Sequence, residues 1–183
     1  MSEKNTLSRS LHDVGLAAWF GGTLANAVAL NRAAGQSGQQ SDAGAVANAG
    51  WDRWTPVNAA AIGAHLVGSV GQLIGNKDRL TTQRGVGTMA VAKTGLTVAA
   101  LAVTGYSRVL GGRISAHQAV PVSDGTTPSA ATPREVASAQ KQLAILQWAV
   151  PALTGALVVV SSFAGEQQRP ASVLQGLTKR VAG

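Results

Sequence analysis

Three polar residues stand seven apart in an otherwise apolar run: Asn58, His65 and Gln72, within WTPVNAAAIGAHLVGSVGQLIG at 54–75. On a helix a seven-residue step drifts by about 20°, so all three share one face. Such a stripe can act as packing glue, bonded to Thr23 or Asn26, or to Thr94, Thr97 or Thr104. It can also hold a ligand, because imidazole coordinates iron and titrates near neutrality. His65, Asn58 and Gln72 are therefore the candidate cofactor-binding residues, and quinone or haem are the groups such a site would take. His12 and His117 lie outside the long apolar windows, which leaves His65 as the one imidazole expected inside them. A bis-histidine haem would then need a second copy of the chain, and no metal site is expected.

Lys93 is the second feature with chemical potential. It lies about two turns into an apolar window, where an unpaired cation costs at least ~2.5 kcal/mol. Its long stem can carry the charge out to the interface, or the ammonium can hold a lipid phosphate or another anionic headgroup. Arg108, beside Tyr106 at the opposite end of the same window, can do likewise. Lys93 and Arg108 are thus the candidate lipid- or anion-binding residues. Catalytic residues are not expected. The windows contain no Asp or Glu, the chain contains no cysteine, and no Ser–His–carboxylate set is apparent. Lys93-Thr94 in GVGTMAVAKTG follows Ala92 where a phosphate loop needs glycine, and no strand precedes it. The chain reads as non-enzymatic.

The elements that must position these residues follow from composition. Charged residues make up 13% of the 183 positions, about half the usual share for a soluble domain. Apart from Lys93 and Arg108 they avoid four windows, 14–30, 56–75, 87–110 and 143–164, each as long as the roughly 17–25 residues a spanning helix requires. A soluble bundle would need charged outer faces, and the windows have almost no charge to place there. The formal charge of +7 is scattered beside the windows. That pattern suits anchoring to anionic lipid better than nucleic-acid binding. The expectation is an all-α fold, a four-helix transmembrane bundle in a single domain.

Several local signals mark boundaries. Ser10 and Asp13 have capping-box spacing, and "AAGQSGQQSDAG" ends the first helix. Lys4 and Arg9 before "LANAVA" resemble a signal peptide, but the window is long for one and reads as a retained first span. Ser41 or Asp42 caps a short helix to Ala49. Thr55-Pro56 then offers an N-cap and a first-position proline for the second span. The tight "GNKDR" turn makes the second and third spans antiparallel neighbours. Residues 111–142 form an extracytoplasmic loop containing the turn-rich "VPVSDGTTPSAATP", with a helical extension from about 133. Pro151 falls inside the fourth span.

Orientation comes from Lys and Arg in the connections. Eight (Lys4, Arg9, Lys77, Arg79, Arg84, Arg169, Lys179, Arg180) fall on one side and five (Arg32, Arg53, Arg113, Arg134, Lys141) on the other. Both termini are therefore expected in the cytoplasm. Trp51, Trp54, Tyr106 and Trp148 then lie near the outer interface, where amphipathic rings are favoured. Small residues four apart (Gly71 and Gly75, Ala18 and Gly22, Gly95 and Ala99), together with Gly68, allow close helix approach inside the chain or between subunits.

The stretches "LHDVGLAAWFGG", "WTPVNAAAIGAHL", "GYSRVLGG" and "LQWAVPALTGALVVV" resemble a group of small, alanine-rich, four-span membrane proteins of actinobacteria with no assigned function. The layout is more distantly similar to DoxX-like membrane proteins. The resemblance implies an actinobacterial plasma membrane and no catalytic residues. The functional expectation is an accessory or structural subunit of a larger plasma-membrane assembly, in contact with the lipid bilayer and with other membrane subunits or copies of itself. The alternative is a membrane binding or redox protein holding a quinone, lipid or haem near His65.

Overall fold

The computed structural model describes residues 4–82, 85–117 and 119–166. Helix α1 (Lys4–Ala25) runs on through a five-residue π-helical turn, Asn26–Leu30, and short α and 3-10 turns ending at Gln36. It is followed by α2 (Gln40–Gly75), the short α3 (Lys77–Thr82), α4 (Val86–Ser115) and α5 (Arg134–Glu166). No strand occurs among the described residues; an isolated bridge joins Val122 and Pro128. Four segments are long and apolar enough to cross a membrane: Thr6–Gln36, Gln40–Gly75, Val86–Ser115 and Arg134–Glu166. The chain is an all-α bundle with the architecture of a multi-pass membrane protein. Arg84, Arg169, Lys179 and Arg180, used for the charge count, lie outside the described residues.

Each of these four segments exceeds the ~20 residues that span hydrocarbon, and part of the excess builds a second core. Ala43, Leu110, Ile114, Val122, Val136 and Ala139 pack together where α2, α4 and α5 meet the 116–133 connection. We call this the loop end, and the opposite one, holding Lys4, α3 and Glu166, the terminal end. At mid-bundle, Trp19, Ala61, Ala100 and Val150 bring one residue from each long helix into a single layer.

Glycine decides which helices touch. A Cβ at Gly15 would lie 2.5 Å from His65 N, and one at Gly68 2.5 Å from Ser8 O, so the α1 and α2 backbones meet directly. At Gly155 of α5 the neighbour is a side chain, the Phe20 ring of α1, 3.2 Å from where a Cβ would lie. Helix α1 thus packs on α2 and α5, and α5 packs on α4. Gly68 and Gly71 serve internal contacts, whereas Gly95 has nothing within 4 Å.

Three local expectations are corrected. Helices α2 and α4, expected as antiparallel neighbours, make little contact. The glycine faces draw α1 onto α2, and α3 occupies the turn between α2 and α4. The short helix at 41–49 and the second span are one continuous helix through Pro56. The Thr55 hydroxyl donates to Trp51 O at 2.7 Å instead of capping a helix start. The Ser10–Asp13 capping box is unused, because α1 is under way by Lys4 and Asp13 bonds to His12 at 2.7 Å.

Candidate functional site

The Asn58–His65–Gln72 stripe is divided along the bundle. Asn58 lines a cavity at the loop end, and Gln72 lines another at the terminal end. His65 lies between them, fully buried, and lines neither of these cavities. Its Nε2 pairs with Thr97 Oγ1 at 3.3 Å, one of the partners the spacing allowed. The His12 ring lies 4.6 Å from the His65 ring, centroid to centroid, and Trp19 stands edge-on at 6.0 Å. This corrects the view of His65 as a lone intramembrane imidazole. His12 belongs to α1, which starts well before the apolar window, and Gly15 and Gly68 let its backbone approach α2. Its Nδ1 is buried without a partner in the protein, and the His12 and Trp19 rings beside it leave no open ring face for a planar cofactor to stack on.

The loop-end cavity has a volume of about 320 Å³, at the lower end of the ligand-pocket range. Three polar atoms on its lining side chains are buried without a partner in the protein: Trp54 Nε1, Asn58 Oδ1 and Thr104 Oγ1. Asn58 is only 8% exposed. Burying such groups unpaired costs roughly 1–3 kcal/mol each, which makes the wall receptive to a hydrogen-bonding occupant. Arg108 lines the same cavity, as does Asp52, so the rim carries both signs of charge.

Backbone irregularity gathers at this level. Proline lacks the N–H that would bond the carbonyl four residues earlier. Pro56 therefore releases the Asp52 carbonyl and Pro151 that of Gln147, and both residues line the cavity. The π-turn of α1 ends there too, with Asn31 N–H bonding Asn26 O. In lipid such breaks persist only where protein or a cavity covers them, and π-turns cluster at functional sites.

Polar side chains brace the cavity floor and roof. Asn31 accepts from Trp51 Nε1 at 3.0 Å and donates to Gln147 Oε1 at 2.8 Å, linking α1, α2 and α5. The connection after α4 folds over the end: Gly125 N–H donates to Asn31 O at 2.9 Å, and Val122 N–H to Gln40 O at 3.1 Å. Asp124 Oδ1 accepts from the N–H groups of Thr126 and Thr127 at 2.7 and 2.8 Å. Gln140 Nε2 donates to Asp124 O at 3.1 Å. The turn-rich segment is thus a fitted roof.

The terminal-end cavity, about 300 Å³, is lined by Arg9, His12, Asp13, Gln72, Lys93 and Ser161 among others. A lateral groove of about 280 Å³ lies beside it, where α2 and α4 stand apart. The groove is walled by Leu66, Val70, Leu73, Val98 and Leu101, and Arg79 stands at its α3 end. Burial lowers the proton affinity of the Arg79 guanidinium. Gln72, Lys93 and Ala164 line both spaces, so groove and cavity adjoin.

The five candidates from the sequence thus separate: Asn58 with Arg108, Gln72 with Lys93, and His65 between them. Sequence reasoning missed Trp54, Thr104, Gln147 and His12 as lining residues. The two prolines carried a usable signal, because each marks a carbonyl left without its helical partner. No family model, curated protein or solved structure matches the chain.

Proposed function

We propose that this chain is a plasma-membrane protein, with both termini in the cytoplasm, that binds a small amphipathic molecule in the loop-end cavity from the outer side. The observation carrying this reading is that three residues lining one cavity, Trp54, Asn58 and Thr104, each carry a buried side-chain polar atom without a partner in the protein: Nε1, Oδ1 and Oγ1. The two nitrogen and hydroxyl donors suit a carbonyl-bearing head group, a quinone among them, and Asn58 Oδ1 suits a hydroxyl or amine. Haem is the poorer fit, since no histidine lines this cavity. The activity proposed is binding.

Isolation in mild detergent, followed by mass spectrometry of retained small molecules, tests the proposal. A species recovered with the native chain and lost from Asn58→Leu supports it. Identical small-molecule content in both sinks it. Sidedness is testable because the chain has no cysteine. Ser37→Cys should react with an impermeant maleimide on intact cells, and Asp78→Cys only after permeabilisation.

A second reading, an accessory or structural subunit, draws on the coverage of α4. Only 6% of its apolar window is buried, against 22–28% for the other three. Gly95 and Gly105 have nothing within 4 Å, and Val91, Val98 and Val109 are exposed. This face would seat another membrane subunit or a second copy of the chain. Disulfide cross-linking through Gly95→Cys, with no cross-link through Gly63→Cys on α2, would support it.

A further inference from the structure

The terminal-end cavity and the groove beside it are a polar chamber joined to an apolar trough, and the protein's other features do not account for either. We propose that together they hold one anionic phospholipid, its headgroup in the cavity at Lys93 and Gln72 and an acyl chain along the groove between α2 and α4. This goes beyond the loop-end reading and stands independently of it.

The chamber is built for an oxyanion. Gln72 Nε2 and Ser161 Oγ are buried on its wall without a protein partner. Both can donate to phosphate oxygens, and the Lys93 ammonium lines the same wall. A lysine held this far into an apolar helix is costly unless an opposite charge or water meets it. A phosphate meets it without requiring the side chain to leave the bundle. Arg9 and Asp13 also line the cavity, and Arg79 lines the groove.

His12 adds a second requirement. Its Nδ1 faces Asp13 Oδ1 at 2.7 Å, which places the proton on Nδ1. In the neutral ring Nε2 is then an acceptor, and it is buried and unpartnered on a fully buried residue that lines the cavity. A headgroup bearing a hydroxyl beside its phosphate would satisfy both the donors and this acceptor. Phosphatidylglycerol has that chemistry, whereas phosphatidylcholine lacks both the net charge and the hydroxyl.

The groove explains why the occupant is a lipid and not free phosphate. Its walls are mostly Leu, Val, Met and Ala, with Ser69, Asn76, Thr94 and Thr97 among them, it lies between two helices that make little contact, and it shares Gln72 and Lys93 with the chamber. A diffusible anion would use the chamber alone.

Native mass spectrometry of the full chain tests this, after reconstitution with equal phosphatidylglycerol and phosphatidylcholine of matched acyl chains. A juxtamembrane cation is worth about fivefold in preference for anionic lipid. One retained lipid per chain is expected, with phosphatidylglycerol favoured at least about fivefold. Lys93→Gln should reduce that preference by about fivefold, and Lys93→Arg should keep it. Val98→Trp, which fills the groove from an exposed position, should abolish retention of both lipids, whereas Asn58→Leu should leave retention unchanged. Equal retention of the two lipids overturns the proposal, as does a preference that survives Lys93→Gln. Displacement of the lipid by millimolar inorganic phosphate would also overturn it, assigning the chamber to a free anion.

Discussion

Replacing Gly68 by alanine tests whether backbone contact between α1 and α2 sets the geometry of the whole interior. The new Cβ would fall on His12 N, 2.5 Å from Ser8 O and 2.7 Å from His12 Cα, all of them backbone atoms. Ordinary carbon contacts begin near 3.4 Å, so α1 must move off by about 0.9 Å from the Ser8 carbonyl alone. Backbone cannot rotate away as a side chain can, and overpacking of this kind costs about 1–3 kcal/mol. Alanine also favours helix over glycine by roughly 0.8–1.0 kcal/mol, so propensity works in the opposite direction. Gly63→Ala isolates that second effect, because Gly63, on the same helix, has nothing within 4 Å. Thermal unfolding in one detergent, followed by tryptophan emission, compares the two. Trp19 is a suitable reporter, being wholly buried and 6.0 Å from the His65 ring. Gly63→Ala should be neutral or stabilising. Gly68→Ala should melt lower by several degrees, at roughly 2–4 °C per kcal/mol for a chain of this size. Coincident melting curves for the two variants would refute the close approach of α1 and α2.

Two further outcomes follow from the hydrogen-bond geometry. Asn31→Leu removes the link between Trp51 and Gln147 and should destabilise the loop end by about 1–3 kcal/mol; faster amide exchange at Gly125 and Val122 than in the native chain would register it. Thr97→Val leaves His65 Nε2 without its partner, and since intramembrane side-chain bonds average about 0.6 kcal/mol, only a small fall in unfolding temperature is expected. A collapse of the fold in Thr97→Val would mean that the His12–His65 layer depends on that hydroxyl far more than its 3.3 Å contact implies.

The four-helix, membrane-spanning class was legible from the sequence. Solvent partitioning depends on residue type and run length, and both are local: four charge-poor windows of sufficient length determine four helices that lipid can accept. The shared face of Asn58, His65 and Gln72 was legible for a similar reason, since helical periodicity is a property of the chain alone. The pairing of His65 with Thr97 was among the partners that periodicity allowed.

Helix adjacency was decided by tertiary contact. Small residues signal that backbones can approach, but whether Gly68 faced α1 or another subunit was open until Ser8 and His12 were found against it. That choice placed α1 between α2 and α5, left α2 and α4 apart, and created the lateral groove. His12 could not be counted as interior from the windows, because burial of its ring depends on α1 starting early and on Gly15 clearing space on α2. Pro56 looked like a helix start and became a mid-helix residue, since the loop-end cavity and its roof tolerate a freed carbonyl that open lipid would not. Hydrophobic periodicity ranks faces by their preference for protein or lipid. Which faces meet depends on the shapes of residues far apart in the chain.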